Sequence, residues 1–175
     1  MRRFLLYLPL TFFVLALDQA TKLWAYVQIR HKPDISVIDG FLKFSYAENP
    51  GIAFGIFSSY MGNAKTIGLL AISFIAIGFV CYLLSKTPSE KRLVITALML
   101  VLGGIIGNLL DRIRFGVVID FIEFYVGTFH WPNFNIADAA ICIGAALLSI
   151  DILKEPSKHP KPTEHSLEQN ETKDI

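Results

Sequence analysis

Two aspartates stand in apolar surroundings in the second half of the chain. Asp120 lies within the run VVIDFIEF (117–124), and Asp138 lies within NFNIADAAI (133–141). Two carboxylates held close together in a low-dielectric site cannot both ionise easily, so one keeps a proton while the other acts as a base on a shared water. The charged member draws a proton from the water as it attacks a peptide carbonyl, and the protonated member hydrogen-bonds the developing oxyanion. If the fold brings the two residues together, the sequence predicts aspartic-protease chemistry.

Each aspartate also has a plainer explanation. Asn135 followed by Asp138 at the start of an apolar run resembles a helix capping box, which by itself accounts for both residues. Asp120 fits a surface-facing position on a short edge strand. If the pair does form, Asp138 is favoured as its ionised member, because a helix N-terminus stabilises negative charge.

The elements that must position these residues are membrane helices. The 175 residues are 53% hydrophobic, with a mean hydropathy of +0.50, which is unusual for a soluble domain of this size. Four stretches are long and apolar enough to span a bilayer, at residues 4–26, 66–85, 93–110 and 136–153. They predict an all-α membrane core of four transmembrane helices in one domain, residues 1–153, followed by a disordered tail, residues 154–175. The net charge of +1 gives no indication of a nucleic-acid partner.

Basic residues predict how the helices are oriented. They cluster before the first span, between the second and third, and after the fourth: Arg2, Arg3, Lys86, Lys91, Arg92 and Lys154. Because basic residues mark the cytoplasmic side, both termini are predicted in the cytoplasm. The loops at about 27–65 and 111–135 then lie outside.

The outside loops predict a small extracytoplasmic β element. Asp39-Gly40 separates two short apolar runs, which is a hairpin signal, and Asn49-Pro50-Gly51 indicates a turn. The run VVIDFIEF in the second loop reads as a short strand. Aromatic residues of the first loop are expected at the level of the lipid headgroups: Phe41, Phe44, Tyr46, Phe54 and Phe57.

Ionisable residues inside membrane spans are costly and therefore indicate function. Asp18 and Lys22 lie four residues apart near the outer end of the first span. They form either an ion pair that offsets its own burial cost or a pair that orients another group.

A second polar group lies at the outer end of the third span. Asn108, Asp111 and Arg112 have the spacing of one helix face. A structural alternative is close helix packing, through Gly103, Gly104 and Gly107, together with a helix-end pair between Asp111 and Arg112. That alternative does not explain why Asn108 is buried beside them.

Taken together, the motifs resemble the bacterial lipoprotein signal peptidases, also called signal peptidase II. The resemblance rests on Asp18 with Lys22, NPGIAFG (49–55), GNLLDR (107–112), VIDF (118–121) and FNIAD (134–138). These occur in the family's order and cover nearly the whole predicted membrane core.

The resemblance implies an intramembrane aspartyl endopeptidase of the bacterial inner membrane, with its active site near the periplasmic face. It implies a lipid-modified prolipoprotein substrate, cut on the N-terminal side of a diacylglyceryl-modified cysteine, and inhibition by globomycin-type peptides. Asp120 and Asp138 are then the catalytic pair. Substrate-binding, site-shaping or supporting roles fall on the remaining motif residues: Asn49, Gly51, Asn108, Arg112, Asn135, Asp18 and Lys22. No cofactor or metal is implied, and membrane lipids surround what we expect to be a monomer.

Two rival functions start from the same residues. A small transporter also has buried carboxylates, but its polar groups would lie at mid-membrane and on both sides. A non-catalytic membrane scaffold would use Asp138 only as a helix cap and Asp120 only as a surface acid.

Overall fold

The computed structural model describes residues 4–51 and 62–154. Arg2, Arg3, Phe54, Phe57 and the predicted tail from residue 155 onward lie outside the described residues. Residues 52–55 of the NPGIAFG motif also lie outside the described residues. What the sequence predicts for all of these residues stays a prediction.

Four helices carry most of the described chain. A short 3₁₀ turn, Phe4–Leu6, precedes α1 (Leu8–Gln28), and α2 (Gly62–Lys86), α3 (Arg92–Phe115) and α4 (Ile136–Lys154) follow. Helix α3 runs past its predicted end at residue 110 and terminates at Gly116, whose φ of 74° gives the left-handed cap that glycine favours. Helix α4 includes Lys154, which the sequence had placed in the tail.

Within the described residues, three helices are long and apolar enough to cross a membrane: Thr66–Lys86, Arg92–Phe115 and Ile136–Lys154. Helix α1 has 21 residues, enough to span the hydrocarbon core, but polar residues interrupt it. Its polar side chains Asp18 and Lys22 are buried, whereas Phe12, Phe13 and Leu23 on its other sides are more than 60% exposed. Such an inside-out distribution suits lipid surroundings, so α1 as a fourth span stays our prediction.

The two loops that the sequence predicts outside the membrane form one antiparallel sheet. Strands β1 (Ile35–Ile38), β2 (Leu42–Asn49), β3 (Val118–Val126) and β4 (Phe129–His130) lie side by side in chain order. The hairpin predicted at Asp39-Gly40 is confirmed, with Gly40 at a φ of 77°. Strand β2 pairs with β3, which places Ala47 opposite Asp120. The sequence predicted strands in both loops but not their pairing with each other.

The sheet packs on the C-terminal end of α1. Ala25 of α1 and Ile29, which follows α1, form a buried cluster with Phe121 of β3. Trp24 meets Phe44 edge-on, with ring centroids 5.2 Å apart. This contact fixes the sheet, and with it the segment that carries Asp120, relative to the helices.

Helix α3 lies at the centre of the bundle and contacts the other three helices. Its glycines allow this, as the spacing of Gly103 and Gly107 predicted. A Cβ added at Gly104 would lie 2.3 Å from the carbonyl oxygen of Ala137, and one at Gly107 would lie 2.6 Å from Asp18 Oδ2. Side chains larger than hydrogen at these positions would push α3 away from α4 and from α1.

A buried ammonium group links α1 to α3. Lys22 Nζ lies 2.9 Å from Asp18 Oδ2, 2.8 Å from Asp111 Oδ2 and 2.9 Å from Asn108 Oδ1. The ion pair predicted within α1 is therefore present. The ion pair of Asp111 is with Lys22, so the predicted helix-end pair of Asp111 with Arg112 is wrong.

The two carboxylates bound to Lys22 also orient other segments. Asp18 Oδ1 accepts a hydrogen bond from the backbone N–H of Ala137 at 2.9 Å, in the first turn of α4. Asp111 Oδ2 accepts one from the backbone N–H of Ile119 at 3.2 Å, in β3. Both sequence-based explanations for the pair of Asp18 and Lys22 therefore hold.

We expect Gly104→Ala to destabilise the protein by roughly 1–3 kcal/mol, because the new methyl group would overlap a backbone oxygen of α4. The control is Gly78→Ala in α2, where an added Cβ meets nothing within 4 Å, and where alanine favours the helix. Thermal unfolding of both variants in detergent is the measurement. Equal midpoints for the two variants would contradict the close approach of α3 to α4.

We expect Lys22→Met to destabilise the protein by roughly 3–5 kcal/mol, because two buried carboxylates lose their cation. Lys32→Met is the control, since the Lys32 ammonium bonds the Gln28 side chain at the surface. The same thermal measurement applies. A Lys22→Met variant as stable as the Lys32→Met variant would show that the buried ammonium does not hold the helices together.

Candidate active site

Asp120 is a buried residue of the central part of the sheet. Strand β3 lies between β2 and β4, and Asp120 is 2% exposed, so its predicted alternative as a surface residue on an edge strand is wrong. Its Oδ1 accepts a hydrogen bond from Asn135 Nδ2 at 2.6 Å. Its Oδ2 accepts one from Asn49 Nδ2 at 2.9 Å. Both carboxylate oxygens are therefore held by neutral amides.

Asp138 lies in the first turn of α4 and does form the predicted capping box. Its backbone N–H donates to Asn135 Oδ1 at 2.9 Å, and the backbone N–H of Asn135 donates to Asp138 Oδ2 at 3.3 Å. Capping is only part of its contacts, because Asp138 Oδ1 also accepts a hydrogen bond from Asn108 Nδ2 at 2.7 Å. A residue that served only as a helix cap would not need this hydrogen bond from Asn108 of α3.

Asn135 connects the two aspartates. It is fully buried, its side-chain amide donates to Asp120, and its backbone N–H donates to Asp138. The same amide lies 3.2 Å from Asn108 Oδ1 and 3.3 Å from the carbonyl oxygen of Ile119. The structure therefore brings together four predicted site residues from three separate segments of the sequence: Asn108, Asp120, Asn135 and Asp138.

The electrostatics differ between the two carboxyl groups. The pKa of Asp120 is raised to about 6, chiefly by burial and also by the neighbouring charge of Asp138, while hydrogen bonds from Asn49 and Asn135 oppose the rise. Asp138 sits at the N-terminus of a 19-residue helix, where negative charge is favoured. The two carboxyl groups therefore lie in different electrostatic surroundings, and those of Asp120 favour its protonated form.

Arg112 adds a cation to this site. It lies near enough to Asp138, Asp111 and Asp120 to interact with each electrostatically. Its Nη1 contacts the carbonyl oxygen of Asn108 at 3.5 Å, and its buried Nε has no hydrogen-bond partner within residues 4–51 and 62–154. A buried donor without a partner is costly in a folded protein, so a ligand that accepts from it would bind favourably.

The turn at Asn49-Pro50-Gly51 is confirmed and borders the site. The backbone N–H of Gly51 donates to Asn49 Oδ1 at 2.8 Å, which fixes the amide whose nitrogen bonds Asp120. Gly51 has a φ of 76°, and an added Cβ would lie 2.6 Å from Leu69 Cδ1 of α2. The backbone conformation favours glycine here, whereas the contact with the end of the flexible Leu69 side chain can be relieved by its movement.

Two residues of this arrangement were not predicted from the sequence. Asp111 was expected in a helix-end pair, but it anchors the strand that carries Asp120. Gln19 was not among the expected residues, although its Nε2 donates to Asp18 Oδ2 at 3.1 Å and to Asp111 Oδ1 at 3.0 Å. The available signal was a third polar residue, next to Asp18, within an apolar span. In the part of the chain that the structure describes, no three His, Cys, Asp or Glu side chains are grouped as metal ligands.

Comparison with known proteins identifies the family. A family model described as signal peptidase (SPase) II matches residues 10–154. A lipoprotein signal peptidase of Syntrophus aciditrophicus is 41% identical over 142 residues, which cover 81% of this chain and 88% of the relative. One of Clostridium tetani is 42% identical over 140 residues, covering 79% of this chain and 86% of the relative.

Solved structures agree with the sequence relatives. Two structures of bacterial membrane enzymes, at 2.3 and 1.9 Å resolution, superpose with TM-scores of 0.75 and 0.76. Both are 30% identical to this chain. They cover 90% and 86% of it, and 93% and 94% of their own chains. The chain belongs to the signal peptidase II family and is a membrane-embedded peptidase.

Proposed function

We propose that the protein removes signal peptides from prolipoproteins as an intramembrane aspartyl endopeptidase. The cut would fall on the N-terminal side of the diacylglyceryl-modified cysteine, and Asp120 and Asp138 would be the catalytic residues. The observation that carries the proposal is that Asn135 hydrogen-bonds both carboxylates in a buried site of a signal peptidase II family member.

The two aspartates would divide the chemistry according to their surroundings. Ionised Asp138 takes a proton from water as the water oxygen bonds to the scissile carbonyl carbon. Protonated Asp120 donates to the carbonyl oxygen and stabilises the tetrahedral intermediate. When that intermediate collapses, the C–N bond breaks and the leaving nitrogen takes the proton held by Asp138. The elevated pKa of Asp120, about 6, supports its role as the proton donor.

The surrounding residues would bind the substrate or shape the site. Arg112 supplies a donor, at Nε, for a substrate carbonyl near the scissile bond. Asn49 and Gly51 would line the approach from the sheet side. Asn108 and Asn135 hold the aspartates in place through hydrogen bonds. Asp18, paired with Lys22, fixes the backbone of Ala137 next to Asp138.

The membrane arrangement follows from the same proposal. Four spans, including α1, would place both termini in the cytoplasm and the active site near the periplasmic face of the inner membrane. A lipidated signal helix would then present its cleavage site at the depth of the aspartates. Globomycin-type peptides would compete for the same site, and one chain would contain all of it.

We expect Asp120→Asn and Asp138→Asn each to lower the turnover number by at least roughly 10³-fold, since each removes one proton-transfer group. Substrate affinity should change little, because asparagine keeps the size and part of the hydrogen bonding. The measurement is cleavage of a purified diacylglyceryl-modified prolipoprotein in detergent, with binding measured in parallel.

Asp151→Asn serves as the control for these variants. It removes a carboxylate from the opposite end of α4, where Asp151 contacts Lys91 at 3.3 Å. Its turnover should match that of the wild type. An Asp120→Asn or Asp138→Asn variant that turns over within tenfold of the control would exclude that residue from catalysis and favour the scaffold alternative.

The pH dependence follows from the protonation of Asp120. Activity should fall as the pH rises through about 6, because the raised pKa of Asp120 marks the loss of the required proton. The Asn49 amide stabilises the ionised form at 2.9 Å, so Asn49→Ala should move this falling limb to higher pH by about one unit.

The pH profile of kcat/KM is the measurement, and it reports the pair as a coupled system. Asn133→Ala is the control, because the Asn133 side chain donates to the carbonyl oxygen of Ser45 rather than to an aspartate. A falling limb that stays in place or moves to lower pH in Asn49→Ala would contradict the assignment of the proton to Asp120.

A further inference from the structure

A groove runs between α1 and α3 on an exposed side of the bundle. Its volume is about 410 Å³, within the roughly 300–1,000 Å³ typical of small-molecule sites. Its apolar walls include Ala20 and Leu23 of α1 and Phe115 of α3, and Leu23 and Phe115 are 64% and 52% exposed. A long apolar chain lying in this groove would cover them.

The groove contains a cation without an acidic partner. Arg114 lies on its wall, near the outer end of α3. Its Nη1 donates to Gln19 Oε1 at 2.8 Å, and among the described residues no carboxylate forms an ion pair with it. Because this partner is a neutral amide, the guanidinium can still pair with an anion, so the groove is complementary to a ligand that joins an apolar chain to an anion.

A smaller polar cavity of about 140 Å³ continues the groove outward. The two share Tyr26, Phe115 and Ile119 as lining residues. The smaller cavity adds Arg30 and Glu48, which bond each other at 3.0 Å. Glu48 pairs with Arg30 and Asp111 pairs with Lys22, so Arg114 is the lining cation that forms no ion pair with a carboxylate among the described residues. The smaller cavity adds further hydrogen-bonding groups to the site.

We propose that this groove binds one anionic glycerophospholipid. The phosphate pairs with Arg114, one acyl chain lies along the apolar walls between α1 and α3, and the rest of the headgroup occupies the polar cavity beside Arg30 and Glu48. The lipid covers the side of the bundle where Lys22 and Asp111 line the floor of the groove. It would therefore keep the buried ion pair separate from the mobile lipids of the bilayer. The site does not include Asp120 or Asp138.

Native mass spectrometry of the purified protein in detergent tests the proposal with three probes that share the same acyl chains: dioleoylphosphatidylglycerol, dioleoylphosphatidylcholine and diolein. The wild type should carry one tightly held phosphatidylglycerol, with less phosphatidylcholine and little diolein. Equal retention of phosphatidylcholine would overturn the requirement for a net anion. Equal retention of diolein would overturn the role of the phosphate and assign the groove to a neutral diacylglyceryl group.

Two variants of the groove and one control complete the test. Arg114→Gln should lower retention of phosphatidylglycerol about fivefold, the contribution of one arginine at an anionic lipid surface. Ala20→Trp should lower it by filling the groove. Arg92→Gln, at the other end of α3, should retain lipid as the wild type does. Wild-type retention in Arg114→Gln, or an equal loss in Arg92→Gln, would overturn the proposal.

Thermal unfolding and cleavage provide independent readouts. Added phosphatidylglycerol should raise the unfolding midpoint of the wild type by mass action, and raise that of Arg114→Gln much less. Both groove variants should still cleave prolipoprotein in detergent if they are folded. Failure of lipid binding in the wild type with cleavage intact would reject this site alone, whereas a wild type that binds the lipid but does not cleave prolipoprotein would reject only the proposed catalytic function.

Discussion

The arrangement of the site depends on one buried ammonium group. Lys22 is 2% exposed and bonds Asp18, Asp111 and Asn108, which come from α1 and α3. In a membrane such a charge is tolerated only when its partners are complete, so each of these three side chains has its position imposed by the others. The carboxylates then use their remaining capacity on the backbone of α4 and β3. The residues they bind, Ala137 and Ile119, immediately precede Asp138 and Asp120.

This order of contacts explains why the polar core and the glycines of α3 occur together. The ion pairs of Lys22, at 2.8 and 2.9 Å, require α1 and α3 to approach closely. The hydrogen bond from the Ala137 N–H to Asp18 brings α4 equally near. Gly107 leaves room for the Asp18 carboxylate, and Gly104 leaves room for the carbonyl of Ala137. A bulkier residue at either position would separate the helices and lengthen bonds that a low-dielectric site cannot replace with water. Packing and electrostatics therefore impose the same geometry on the first turn of α4.

Local signals in the sequence predicted most of the helices and the turns. The apolar stretches located α2 and α4 within a few residues, and the pairs Asp39-Gly40 and Asn135 with Asp138 predicted a hairpin and a helix cap that the structure contains. Each of these features is set by residues close together in the chain. The polar motifs also indicated candidate residues that the structure brings together, because an ionisable group within a membrane span is rarely incidental.

The contacts that the sequence did not reveal are long-range ones. Nothing local indicates that β2 pairs with β3 across more than one helix, or that this pairing makes β3 an interior strand. The edge-strand interpretation of Asp120 was wrong for that reason. The partner of Asp111 was also missed, because a neighbouring arginine in sequence is a more obvious choice than a lysine on another helix. Charge spacing along one helix cannot distinguish these two partners.

The difference between the two aspartates follows from the elements that carry them. A strand supplies no net dipole, and the direct hydrogen-bond partners of the Asp120 carboxylate are the neutral amides of Asn49 and Asn135, so burial raises its pKa to about 6. A helix N-terminus supplies partial positive charge to Asp138, in addition to the amide of Asn108 and the N–H of Asn135. Two identical side chains thus have different electrostatic surroundings, because one extends from a sheet and the other from the start of a helix. The proposed aspartic chemistry would use this difference, since one carboxyl group must donate a proton while the other accepts one.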